Sequence, residues 1–163
     1  MTKLELLNLN VALTKLGNLS GVKFAYGVSK NLAILKPEME ALEKASAMTD
    51  EYKKFEEARI KIAEKYSKKD KDGKAIIKDN SYDIEEDKKE EMEKEFDILK
   101  KENEEVFNAR EKQIMEYAEL IKSESNVTLY KIALSDVPSN ITVAQMASIS
   151  SIVEEEVLSP YNK

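Results

Sequence analysis

The chain contains no histidine, no cysteine and no tryptophan, and only four glycines and three prolines in 163 residues. Each absence removes a class of function. Without histidine or cysteine there is no Ser-His-Asp or Cys-His nucleophilic site, no thiolate zinc site and no imidazole base. Without cysteine there is no disulfide framework, and a reducing compartment is expected. The scarcity of glycine and proline leaves few turns, so a sandwich of short strands is a poor fit. No Walker loop or GxGxxG is present, so no nucleotide cofactor is expected. No apolar run approaches the ~18 residues that cross a bilayer, and the N-terminus has no secretory pattern. No catalytic residue and no metal site is assigned.

What the chain has is charge: 36% of its residues, with a net of −6. Together with ordinary apolar content this predicts long, solvated helices and a mostly α fold in a single domain. The charge is segregated. Residues 1–36 carry five lysines against one acid, a net of +4, which leaves −10 on the rest. An acidic whole argues against duplex nucleic acid as a partner, because phosphate contacts dominate such affinity. The basic N-terminal third still admits a small anionic ligand.

In chain order, Thr2 and Glu5 fit a capping box that opens an N-terminal helix within residues 1–17. Leu6, Leu9, Leu13 and Leu16 share one side of it, and Gly17 is placed to end it. A long helix over 20–66 is predicted next, capped by Ser20 and kinked at Pro37. Its apolar seam is Ala25, Val28, Leu32, Leu35, Met39 and Leu42, and it resumes at Tyr52, Phe55, Ile62 and Tyr66. A new start at Asp50, with a break near Thr49, is the alternative. Residues 67–82 read as a loop with a turn at Asp72-Gly73. Lys68 in the first ligand position argues against a calcium loop there.

A second long helix is predicted over 84–123, with Met92, Phe96, Leu99, Val106, Tyr117 and Leu120 on its seam. Asn103, Arg110 and Gln113 fill the polar positions between them. The two long helices make an antiparallel hairpin. Residues 126–157 add a small appendage: a strand at Val127–Ile132, then a short helix with a capping box at Thr142 and Gln145. Apolar positions beyond what one hairpin needs predict a homo-oligomer.

The candidate ligand face is Lys23, Tyr26, Lys30 and Asn31. Spacings of 3 and 4 put the first three on one helical face, with Asn31 on its flank. Two ammonium groups, a phenol and an amide suit a phosphate, ring stacking and base-edge bonding. Gly27 would allow a close approach by a ligand or by another backbone.

Several short stretches carry a resemblance: VKFAYGVSK, LKPEME and FEEAR, the DKDG loop at 70–73, then IALSDV and ITVA. In order they span about residues 12–155 and resemble a widespread family of small proteins of tailed bacteriophages. Membership would imply a phage product acting in the host bacterial cytoplasm or in the virion. Two functions are then expected. One is a counter-defence protein that sequesters a host factor, either a small anionic nucleotide signal or a host defence protein. The other is a structural protein of the virion or of its morphogenesis.

Overall fold

The computed structural model describes residues 1–154. The protein is mostly α, with six α-helices and four two-residue strands among the described residues. It divides into two compact units. Among the described residues, 1–45 and 117–154 form the first, and residues 46–116 the second.

The first unit is built on α1, Lys3–Thr14. Thr2 accepts a bond from the Glu5 amide and the Glu5 carboxylate accepts one from the Thr2 amide, so the expected capping box forms. Its leucine stripe is the centre of the core: Leu6, Leu9 and Leu13, with Leu16 beyond the helix, are all buried. Packed with them are Phe24 and Leu35 of α2 (Val22–Ser46) and Ile132, Ile149 and Ile152 from the C-terminal third. The last two flank the end of α6, Val143–Ile149, whose capping box at Thr142 and Gln145 also forms. At the other end of the unit, the Lys3 and Leu4 amides donate to the carbonyls of Ser123 and Ile121. Gly17 does not close α1 in a left-handed cap; the helix ends at Thr14 with Lys15 in the right-handed region.

The structure rotates the buried face of α2 relative to the expected seam. Phe24, Gly27, Asn31, Leu35 and Leu42 are buried, Val28, Leu32 and Met39 only partly, and Ala25 faces solvent. Gly27 is buried because Ile132 lies against it. A Cβ at that position would stand 2.6 Å from the Ile132 Cγ1. The close approach allowed by this glycine therefore serves packing within the chain. The helix starts after Gly21, whose φ is +134°, so the expected Ser20 cap is displaced by one residue.

The single helix over 20–66 is replaced by two. The chain runs helically through Pro37 and stops at Ser46. It restarts as α3, Asp50–Tyr66, where the Thr49 hydroxyl accepts from the Tyr52 amide. The break falls where a good N-cap was available, not where proline removes one bond.

The second unit is an antiparallel helical hairpin. Its first arm is α3. Its second arm is α4 (Lys89–Glu102) followed by α5 (Glu104–Leu120), not one helix over 84–123. Asn103 interrupts it with a non-helical backbone, and its side-chain amide donates to the Leu99 carbonyl. Lys65 meets Glu95, while the rings of Phe55 and Phe107 meet with centroids 6.1 Å apart, so the arms run in opposite directions. The polar seam positions have partners: Arg110 donates to the Ser46 carbonyl and Gln113 to that of Ala47. These bonds satisfy carbonyls left open where a helix stops.

The loop over 67–82 is more ordered than expected. Strand β1 (Ile77–Lys78) pairs with β2 (Ser81–Tyr82) across Asp79 and Asn80, both with positive φ. That is the sign pattern of a tight I′ hairpin turn. The Asp70 carboxylate accepts from the amides of Asp72 and Lys74, and so stabilises the turn at Gly73. The strand expected at Val127–Ile132 is confined to β3, Ile132–Ala133, which pairs in parallel with β4, Val153–Glu154. Residues 155–157 of the expected appendage lie outside the described residues.

Candidate functional site

The first half of α2 and the chain from Tyr130 to Asp136 enclose a cleft of about 440 Å³. Val22, Lys23 and Tyr26 line it from the helix. Tyr130, Lys131, Ile132, Ala133 and Asp136 line it from the other side. The helix periodicity that places 23, 26 and 30 on one face brings three of the four expected residues to this side of α2.

The fourth residue has a different place. Asn31 is fully buried. Its Nδ2 donates to the carbonyls of Gly27 (3.0 Å) and Tyr130 (2.9 Å), and its Oδ1 accepts from the Tyr130 amide at 2.9 Å. The amide thus treats Tyr130 as a neighbouring strand would, satisfying both its N–H and its C=O. Asn31 lies beneath the face and holds the opposite wall against α2. The position read as a ligand contact is a positioning residue for Tyr130.

Held in this way, Tyr130 forms an aromatic corner with Tyr26. The rings are perpendicular and their centroids are 5.9 Å apart. Edge-to-face contacts of this kind contribute about 0.5–1.5 kcal/mol beyond area burial. Tyr26 is 58% exposed, so much of its ring remains open to a ligand. The Lys30 ammonium stands 4.3 Å from the Tyr130 centroid and 5.7 Å from that of Tyr26. It belongs to the aromatic wall and not to the cleft lining. No carboxylate among the described residues pairs with it.

Lys23 and Lys131 supply cations in the cleft itself. Lys23 meets Asp136 at 3.2 Å, with its own side chain 80% exposed. Lys131 donates to the Ser151 carbonyl at 2.7 Å, and no carboxylate among the described residues pairs with it. Counting Lys30, three cations stand near two phenol rings and one acid. Tyr130, Lys131 and Asp136 were invisible as site residues, because their nearness to α2 arises from a pairing 99 residues apart.

The hairpin unit has cavities of its own, but their charge differs. One of about 520 Å³ is lined by Phe55, Phe96 and Phe107, with Arg59 and Lys100 matched by Glu56 and Asp97. Another of about 380 Å³ sets Arg110 against Glu51 and Glu105. Neither has the cation excess of the cleft at Tyr26. Around the first, Arg59 holds the Glu56 carboxyl below its ordinary range by hydrogen bonding, and burial pushes the Tyr52 phenol up.

No helix among the described residues is long and apolar enough to cross a membrane. Neither a known protein family, nor a curated protein, nor a solved structure matches this chain.

Proposed function

We propose that this chain is a non-enzymatic binding protein that captures a small anionic nucleotide in the cleft at Tyr26 and Tyr130. The observation that carries the reading is the aromatic corner with Lys30 against it and Lys23 and Lys131 beside it. A base stacks on a tyrosine ring, and stacking is worth about 1–3 kcal/mol per base. A phosphate takes charge-assisted bonds from the lysines. The cleft volume falls within the ~300–1,000 Å³ usual for small-molecule sites. With no histidine or cysteine in the chain, capture is a better use of this site than group transfer. The bacteriophage resemblance supplies a context: a protein made in the host cytoplasm that withdraws a nucleotide signal from a defence system.

A second reading, a virion or morphogenesis component, is favoured by the hairpin. Helices α4 and α5 contain no fully buried residue, although Met92, Phe96, Leu99 and Val106 sit on their inner seam. A hairpin this thinly covered gains from self-association, and assembly into a rod would provide it.

The test is mass spectrometry of small molecules released when the purified protein is denatured. A phosphorylated, base-bearing compound supports capture. Its absence, together with the protein's presence in purified particles, supports the structural reading.

A further inference from the structure

Among the described residues, Asp136 is the one acid lining a cleft otherwise rich in cations. Its side chain is three-quarters shielded from solvent, at 24% exposed, and its partner is Lys23, whose side chain is highly exposed. An ion pair with one solvated partner is easily exchanged. The residue is held firmly: it ends a single 3₁₀ turn, Leu134–Asp136, that the Val137 amide closes on the Leu134 carbonyl.

Resting on the nucleotide reading, we infer that Asp136 reads the base, and that the base it selects is guanine. A carboxylate is acceptor-only, with two oxygens side by side. The matching partner is a pair of adjacent donors. Guanine presents N1–H beside its N2 amine. Adenine presents an amine beside an unprotonated N1, whose lone pair faces the second oxygen. Cytosine has the same defect, and hypoxanthine has N1–H without the amine. The carboxylate also repels additional phosphates, which favours a ligand with a single phosphate directed to Lys30 and Lys131.

Calorimetric competition with guanosine, inosine and adenosine 5′-monophosphates tests this on the full chain and on Asp136→Asn. The parent is expected to prefer the guanosine nucleotide over the adenosine one by about tenfold or more, with inosine between, as bidentate base contacts usually give. Asparagine keeps the shape but offers one acceptor and one donor, which match adenine and also the N1–H and O6 of guanine and hypoxanthine. The preference for the guanosine nucleotide is therefore expected to collapse to within about twofold in Asp136→Asn, with an unchanged melting temperature as the control for folding. Equal binding of all three by the parent, or an undiminished guanosine preference in the variant, overturns the role of Asp136 and leaves the nucleotide reading standing. No binding of any of the three by the parent overturns both.

Discussion

Replacing Asn31 by aspartate changes one atom and inverts a hydrogen-bond pattern. In the parent, the Asn31 amide donates twice, to Gly27 and to Tyr130, and accepts once from Tyr130. Aspartate keeps the acceptor and points its second oxygen at two carbonyl oxygens. The site is fully buried, so the carboxyl resists ionisation and its folded pKa rises above the unfolded value of about 3.9. The folded state then binds more protons than the unfolded one. The variant is most stable below that unfolded value, and its stability falls as pH rises through the folded pKa. Fully buried carboxyls shift by up to 3–5 units, at 1.36 kcal/mol per unit, and at pH 8 the loss is capped by the distance from the unfolded pKa, so it is about 4–5.5 kcal/mol. Even when protonated, the acid has one O–H for two carbonyls, a residual cost of about 1 kcal/mol. A domain of this size has roughly 5–15 kcal/mol in total, so Asn31→Asp is expected to be near its unfolding limit at pH 8. Asn31→Ala removes all three bonds without adding charge. Its cost is about 2–4 kcal/mol and is the same at pH 4.5 and at pH 8. Denaturant titrations of both variants and the parent at pH 4.5 and 8, followed by circular dichroism, separate these cases. A loss in Asn31→Asp that does not change with pH, or no loss, would refute the assignment of Asn31 as the internal partner of Tyr130.

Other predictions follow from the same packing. Gly27→Ala places a methyl within 2.6 Å of Ile132 and is expected to cost about 1–3 kcal/mol as an overpacked contact. In a double-mutant cycle with Ile132→Ala the two losses are expected to fall short of additive, and strict additivity would show that the contact is not the cause. Leu35→Ala, at a fully buried site, is expected to cost about 2–5 kcal/mol in thermal or denaturant unfolding, and Leu32→Ala distinctly less because that side chain is only partly covered. Arg59 lowers the Glu56 carboxyl, so that pair contributes stability above the unfolded carboxylate range and loses it as pH falls through the folded pKa. Arg59→Gln should flatten the acid limb of the stability profile slightly, by under about 1 kcal/mol, since the Arg59 side chain is half exposed.

The parts of the fold that were legible in the sequence are those with local causes. The capping boxes of α1 and α6 and the leucine stripe of α1 need only neighbours three and four residues away, and they form as expected. A helical hairpin also forms, from α3 against α4 and α5 and not from helices over 20–66 and 84–123, because Met92, Phe96, Leu99 and Val106 repeat with helical spacing and all come out half-buried. The α2 face was misphased because two of its buried positions are Gly27 and Asn31, which carry no apolar signal. Glycine is buried there for want of a side chain, and asparagine for its hydrogen bonds. The break before α3 competed with a seam that continued across it. The capping hydroxyl of Thr49 prevailed, and the Ser46 and Ala47 carbonyls found partners on Arg110 and Gln113, which no local pattern reveals. Half of the candidate site was legible for the same reason. Lys23, Tyr26 and Lys30 share a face by period alone, whereas Tyr130, Lys131 and Asp136 reach it through a tertiary contact made by a buried amide.

The central claim is that the lysine and tyrosine cleft binds an anionic nucleotide. Calorimetric titration of the parent and of Lys30→Glu with a nucleoside monophosphate tests it most directly. Lys30 is exposed and off the buried face of α2, so the variant is expected to fold and melt like the parent. Reversal removes an attraction, adds a repulsion, and places a carboxylate against the electron-rich face of Tyr130. A charge-assisted phosphate contact is worth about 1.5–3 kcal/mol, so affinity is expected to fall at least tenfold. Unchanged affinity in a folded Lys30→Glu would contradict the account, as would a parent protein that gives no binding heat.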